Sequence, residues 1–347
     1  MTEKIDLQPG DKLLISRTDR LGDLVLALPF VETMKQRYPE CSIEVLTSLY
    51  ASPILEYNPN VDKIMRVQND MLRKDKLYKK DLLHKIKISN YKAVIVLYPE
   101  RRICQLFNKA EIPIRVGTAG RFHSIFFNVH LLHSRKSNLK HESDYNLDFL
   151  TFFREGKTVK SPKVYLQERE INHARKMLKE SGIEKPFVVV HPGSKGSADC
   201  WPVDRFIELY KRLEEADINV VVSGSEVEGQ ICDNIAREKS VSLRKITGQT
   251  DLRALAAVLS LSEVVVANST GPLHLATALE TQVVGIYPSK QVMSPKRWGP
   301  LGNKDIVIQP ETEKCRCPAY NCNCMETIQV ETVLGAVTSL LLQHQNK

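Results

Sequence analysis

The strongest constraint on this chain is the way short, β-rich apolar runs alternate with longer helical patterns. Residues 13–16, 43–47, 93–97 and 112–116 have the length and composition of buried strands. The second half repeats the theme at 187–191, 219–223, 264–267 and 283–287, with helical patterns over 205–215, 226–239 and 252–259. Runs that are apolar on both faces belong to parallel sheets covered by helices on each side, so the expected fold class is α/β and doubly wound. Such sheets take ligands beyond the carboxyl ends of their strands.

At 347 residues the chain exceeds what one core usually holds. The hydrophobic pattern weakens over 117–140, and a polar segment at 154–162 precedes the second set of units. The expected division is therefore 1–160 and 161–347, two domains with a cleft between them and an amphipathic helix over 326–343 at the end. No run approaches the ~20 apolar residues that span a bilayer, and the N-terminus lacks the apolar segment of a secretory signal. The expected location is the cytoplasm.

Charge is uneven. Residues 1–160 carry 27 Lys and Arg against 19 Asp and Glu, whereas 161–347 carry 22 of each, so the whole +8 excess lies in the first half. An acidic partner is expected there. The densest stretch, 72–92, has eight basic and two acidic residues with Leu72, Leu82, Leu83 and Ile86 among them. It reads either as a solvated helix face or as a surface lying on anionic lipid headgroups. Nucleic acid is disfavoured, because the stretch has little aromatic interleaving.

Four strand ends carry the candidate chemistry. The first, LLISRTDRLGDLVLALP, places Asp23 in the opening turn of a helix, where it serves either as a dipole partner or as a general base. The absence of a GxGxxG pattern argues against a nicotinamide dinucleotide in this domain. In VVVHPGSKGSADCWP, Ser194 and Lys195 sit in a small-residue loop suited to a phosphate. In VVVANSTGPLHLATAL, Ser269, Thr270 and Gly271 open a helix whose N–H groups suit a pyrophosphate, with His274 in its first turn. Glu226 and Glu228 follow the strand at 219–223, placed either to hold ribose hydroxyls or to meet the helix dipole.

One further cluster, CRCPAYNCNC, sets Cys315, Cys317, Cys322 and Cys324 within ten residues. Four thiolates suffice for a structural zinc or iron site, and reduced surface thiols are the alternative.

Together R-x-D-x-x-G-D-x-x-x-x-x-P at 17–29, H-P-G at 191–193 and N-S-T-G-P-L-H at 268–274 resemble the heptosyltransferases of glycosyltransferase family 9, in order and spacing from residue 12 to about 340. The resemblance implies a GT-B fold of two Rossmann-like domains. The C-terminal domain would bind a nucleotide sugar, typically ADP-heptose, and the N-terminal domain a lipopolysaccharide core acceptor. It implies Asp23 as general base, a phosphate site from the Ser269 and Thr270 amides with Gly271, and His274, Glu228, Ser194 and Lys195 as further donor contacts. Arg17, Arg20, Arg101 and Arg121 are the cations expected to meet an acidic acceptor. No cofactor is implied for the chemistry, which would be inverting and metal-independent. The chain departs from the family at Ser269, often an aspartate, and at Asp199, often a lysine, so a non-catalytic nucleotide-sugar-binding protein, or a member using another donor or acceptor, is the alternative.

Overall fold

The computed structural model describes residues 4–120, 122–183, 185–194, 196, 199–302, 304–311 and 323–345. The chain forms two compact units, Met1–Tyr165 and Leu166–Lys347.

The first unit begins with β1 (Lys12–Arg17), α1 (Leu21–Val25), α2 (Leu28–Arg37), β2 (Ser42–Ser48) and β3 (Lys63–Val67). It continues through α3 (Asn69–Lys74), α4 (Lys76–Ile88), β4 (Ala93–Val96), α5 (Arg101–Lys109), β5 (Ile114–Thr118), β6 (Val129–Leu131) and α6 (Glu142–Leu147). Its six strands are all parallel, in the order β3-β2-β1-β4-β5-β6. Leu13, Leu14 and Ile15 of the central β1 are fully buried, each contributing about 1.5–3 kcal/mol by leaving water. Because every strand runs the same way, the residues that follow each strand gather along one edge of the sheet.

The basic stretch is a helical hairpin, α3 then α4, with Asp75 capping α4 by accepting from the Leu77 and Tyr78 amides. The apolar residues that the sequence reading singled out face the core. Leu72, Leu82 and Ile86 are buried against Leu14, Val94, Val96 and Phe107, with Leu83 packed beside them. What α4 leaves to solvent is charge, part of it paired as Lys85 with Asp81 and Lys87 with Glu111, together with the exposed Leu77 and Ile88.

The second unit contains α7 (Glu168–Glu180), β7 (Phe187–His191), α8 (Val203–Glu215), β8 (Asn219–Val222), α9 (Glu226–Glu238) and α10 (Leu252–Leu261). There follow β9 (Val264–Asn268), α11 (Gly271–Ala278), β10 (Gln282–Ile286), α12 (Pro295–Trp298), β11 (Ile306–Ile308) and α13 (Val330–Gln345). Its five strands are parallel in the order β11-β10-β9-β7-β8. The terminal helix starts four residues later than its pattern suggests, after a short 3-10 turn at Asn323–Thr327. It packs on α8 and the sheet, its Val333, Val337 and Leu340 joining Trp201 and Phe206 in the core. The Trp201 indole N–H donates to the Ile328 carbonyl at 3.0 Å, so the buried ring keeps its polar atom satisfied.

Candidate active site

In the first unit, β1 delivers Arg17 to the carboxyl edge of the sheet with its side chain only 2% exposed. A buried guanidinium needs acceptors on every side, and it has them. Nε donates to Asp19 at 2.8 Å, Nη2 to Asp23 at 2.5 Å, and Nη1 to Glu142 at 3.0 Å and to the Asn146 Oδ1 at 3.1 Å. Arg135 reaches the same group, 3.2 Å from Glu142 and 3.0 Å from Asn146. Three carboxylates thus meet two guanidiniums. Burial opposes the Arg17 charge, but Asp19, Asp23 and Glu142 outweigh it and hold its proton more firmly than usual. For Asp19 the balance goes the other way: burial and the neighbouring Asp23 prevail over Arg17 and push its carboxyl up to about 7.

Asp23 lies in the first turn of α1, its side chain 14% exposed, which leaves the carboxylate oriented by Arg17 yet open to a ligand. Arg17 itself is a correction to the sequence reading. It is an internal counter-ion 125 residues in sequence from Glu142, and not a surface cation awaiting an acidic acceptor. Arg20, the N-cap of α1, is exposed. Arg101 opens α5, exposed, with its guanidinium 5.2 Å from the Phe122 ring centroid. Arg121 lies outside the described residues.

In the second unit, the strand ends are tied together by side chains. Asn268, at the end of β9, accepts from the Trp201 amide at 2.9 Å and donates to the Pro192 carbonyl at 2.9 Å, pinning both ends of the loop that follows β7. His191 is joined to Ser223 of the neighbouring strand end at 2.9 Å. Ser194 stands in that loop, its hydroxyl accepting from the Gly196 amide and bonded to Cys200. Lys195 lies outside the described residues. A different cation comes to this loop, because Lys290 from beyond β10 stands 3.7 Å from Asp199.

Thr270 is the N-cap residue of α11, with Pro272 in the first turn. Its side chain makes no capping bond, and its buried Oγ1 has no hydrogen-bond partner among the described residues. The amides of Gly271 and Leu273 have no intrahelical acceptor. The Ser269 amide donates to Ile286 of the sheet at 3.1 Å, so it is spent on structure and the phosphate motif contracts to Thr270 and Gly271. His274 is 4% exposed within the same turn.

Glu228 performs a local task. Its Oε2 accepts from both the amide and the hydroxyl of Ser225 at 2.7 Å, forming a reciprocal cap on α9. The carboxylate rests so closely on Gly193 that a Cβ there would come within 1.9 Å of Oε1. Glycine is therefore required in the His-Pro-Gly turn for packing. Cys315, Cys317 and Cys322 lie outside the described residues, whereas Cys324 is buried in the core beneath α13. Among the described residues, no three His, Cys, Asp or Glu side chains are placed to hold a metal ion.

Sequence reasoning missed Asp19, Glu142, Arg135 and Lys290. Asp19 was visible inside the first motif. The others arrive from distant segments and carry no local signal.

Two all-parallel α/β units, each gathering polar groups at its strand ends, are the construction of GT-B glycosyltransferases. The glycosyl transferase family 9 protein of Veillonella parvula superposes with a TM-score of 0.81 at 20% identity, covering 97% of this chain and 99% of that one. The E. coli ADP-heptose lipopolysaccharide heptosyltransferase II superposes with 0.78 at 21% identity, covering 96% and 99%. In sequence, lipopolysaccharide heptosyltransferase 2 of E. coli K12 is 25% identical over 352 residues, 96% of this chain and 99% of that protein. Residues 80–327 match the model of glycosyltransferase family 9 (heptosyltransferase), and the chain belongs to that family. It is a glycosyltransferase.

Proposed function

We propose that this protein transfers a sugar, a heptose from ADP-heptose, onto a lipopolysaccharide core or similar acidic glycan, with inversion at the anomeric carbon. The donor is suggested by the names of the relatives and by the Thr270 hydroxyl, a buried polar atom left unmatched at a helix N-terminus, where a diphosphate oxygen would satisfy it. Asp23 takes the proton from the acceptor hydroxyl as that oxygen attacks the anomeric carbon. The bond from that carbon to the diphosphate oxygen breaks on the opposite face, and the nucleoside diphosphate leaves with the electron pair. Gly271 and Leu273 amides, the α11 dipole and a lysine, Lys195 or Lys290, stabilise the departing charge. These fixed charges do the work that a divalent ion does elsewhere, so the chemistry needs no metal.

In this reading 1–160 receives the acceptor, with Arg20, Arg101 and Arg121 meeting its acidic groups, and 161–347 holds the donor, with Ser194 and His274 beside its phosphates. Glu228, in the first turn of α9 and capped on Ser225, lies on the side of the donor's ribose in this reading. The enzyme works in the cytoplasm at the inner face of the membrane that carries the acceptor. Among the described residues no helix is long and apolar enough to cross a membrane, and contact is peripheral.

The test is a panel of nucleotide sugars against the purified protein by calorimetry, followed by turnover with Asp23→Asn. Binding of ADP-heptose above other donors, and a loss of at least ~100-fold in turnover with donor affinity kept, support the reading. Activity within a few-fold of wild type would remove Asp23 from the role of base.

A further inference from the structure

The membrane contact in that reading has a place in the first unit other than the basic hairpin. Residues 112–141 contain no Asp or Glu, while holding five Lys and Arg and four of the nine histidines. In a chain that is 26% charged, thirty residues without a carboxylate carry charged side chains of one sign only.

The same segment exposes large apolar side chains. Phe122 is 70% exposed, Ile125 69%, Leu132 86% and Leu139 67%. Phe122 and Ile125 lie on a 3-10 turn, Phe122–Phe126, in which side chains three apart share one face. That face is held outward because the following Phe127 is buried tightly against Gly117, anchoring the turn. The Ala119 amide donates to Leu131 at 3.0 Å, which sets the base of the turn beside the end of β6, from which Leu132 projects. Leu139 is brought to the same region through Tyr145, whose hydroxyl accepts from the Leu139 amide at 3.2 Å and whose ring meets His133, next to Leu132, at 5.1 Å. Arg101 lies over the Phe122 ring, adding a cation at the rim. Of the charges in the segment, Lys140 is paired with Asp148 and Arg135 with Glu142, while Arg115 is held by the backbone carbonyls of Ile112 and Phe126.

We propose that this acid-free segment at the β5–β6 edge docks on an anionic bilayer, with Phe122, Ile125, Leu132 and Leu139 entering the headgroup and acyl boundary. Separate protruding side chains, with Arg101 at their rim and no carboxylate in their own segment, suit insertion between lipids, where each tip is surrounded and no complementary protein relief is needed. The charge complementarity commits the occupant to an anionic lipid surface. The proposal rests on the glycolipid reading above, but its measurement does not involve sugar transfer, so the two can fail separately.

The experiment is flotation of the full chain with phosphatidylcholine vesicles and with vesicles containing a third phosphatidylglycerol. Wild type should partition onto the anionic vesicles at least 10-fold more than onto neutral ones. Phe122→Ser, Ile125→Ser, Leu132→Ser together should reduce that binding at least 10-fold while ADP-heptose affinity and the melting curve stay unchanged. A single Phe122→Trp reporter should shift its emission to the blue on anionic vesicles only, and it remains informative if the triple variant folds poorly. Unchanged vesicle binding by the triple variant, no blue shift, or equal binding to neutral lipid overturns the proposal. So does conversion of a dimer to a monomer by the triple variant in size-exclusion chromatography, since the patch would then be covered by a second copy.

Discussion

Asp19→Asn removes a charge from a buried salt bridge, which ordinarily destabilises a protein, but here the opposite is expected above neutral pH. The Asp19 side chain is 12% exposed and its carboxyl is pushed up to about 7 from an ordinary 3.8, by burial first and by Asp23 second, against the pull of Arg17. A carboxyl raised in the folded state holds more proton than the unfolded chain between the two values, so its stabilising effect is whole below the unfolded value and is lost as pH rises to about 7. The wild type therefore loses stability from this group between about pH 4 and 7. Keeping that carboxyl ionised in the fold costs on the order of 4 kcal/mol against ionising it in the unfolded chain. Asparagine keeps an oxygen for the Arg17 Nε but cannot ionise. Relative to wild type, the variant should gain on the order of 3 kcal/mol in stability between pH 4 and pH 8. Urea unfolding of both proteins at pH 4, 5, 6, 7 and 8 measures the gap directly. A gap that is flat with pH, or a variant less stable at pH 8, would refute the claim that three carboxylates compete for too little positive charge.

Thr270→Val deletes a hydroxyl that has no partner among the described residues, so the melting temperature of the unliganded protein should hold or rise slightly. ADP should bind ~10-fold more weakly and adenosine equally well in calorimetry. Gly193→Ala places a methyl against the Glu228 carboxylate, which must release Ser225, and should cost about 1–2 kcal/mol in thermal or urea unfolding. Activity should survive excess EDTA, with elemental analysis following any zinc or iron held by Cys315, Cys317, Cys322 and Cys324. Loss that magnesium alone restores would count against fixed protein charge as the stabiliser of the leaving group.

The central strands were legible because burial on both faces writes an unbroken apolar run, as in Phe187–His191, where expectation and structure coincide. The strands that escaped notice were β3, β6 and β11, and all three lie at sheet edges. An edge strand pairs on one side only, so KIMRV can place two charges among its five residues and the last two strands need only three residues each. The sequence leaves the stretch at 72–92 open between a solvated helix face and a lipid surface for a related reason. Leucines spaced among lysines describe an amphipathic helix equally well on lipid or on a protein core, and periodicity does not name the apolar partner. The site residues divide along the same line. Asp23, Thr270 and Gly271 could be singled out in the sequence because strand-to-helix junctions are local. The service of Glu228 to Ser225 was half visible as a first-turn acid, while Glu142 could not be found because the chain returns it to Arg17 only through the fold.

In the proposed reading, the placement of charge in the first unit also bears on how a basic domain can keep an anionic base. Residues 1–160 carry eight more cationic than anionic side chains, and a carboxylate surrounded by that excess would be held as a weak base. The group around Arg17 is locally the reverse. Arg17 and Arg135 face Asp19, Asp23 and Glu142, so with all three carboxylates ionised the cluster has a net charge of −1. Its shortage of positive charge is borne by Asp19, whose carboxyl is pushed up to about 7. With Asp19 protonated, two guanidiniums balance two carboxylates, and Asp23 is the residue proposed to take the proton from a substrate hydroxyl. In the proposed reading, Arg20, Arg101 and the acid-free β5–β6 edge are where an acidic acceptor or a lipid surface meets the positive charge of the unit.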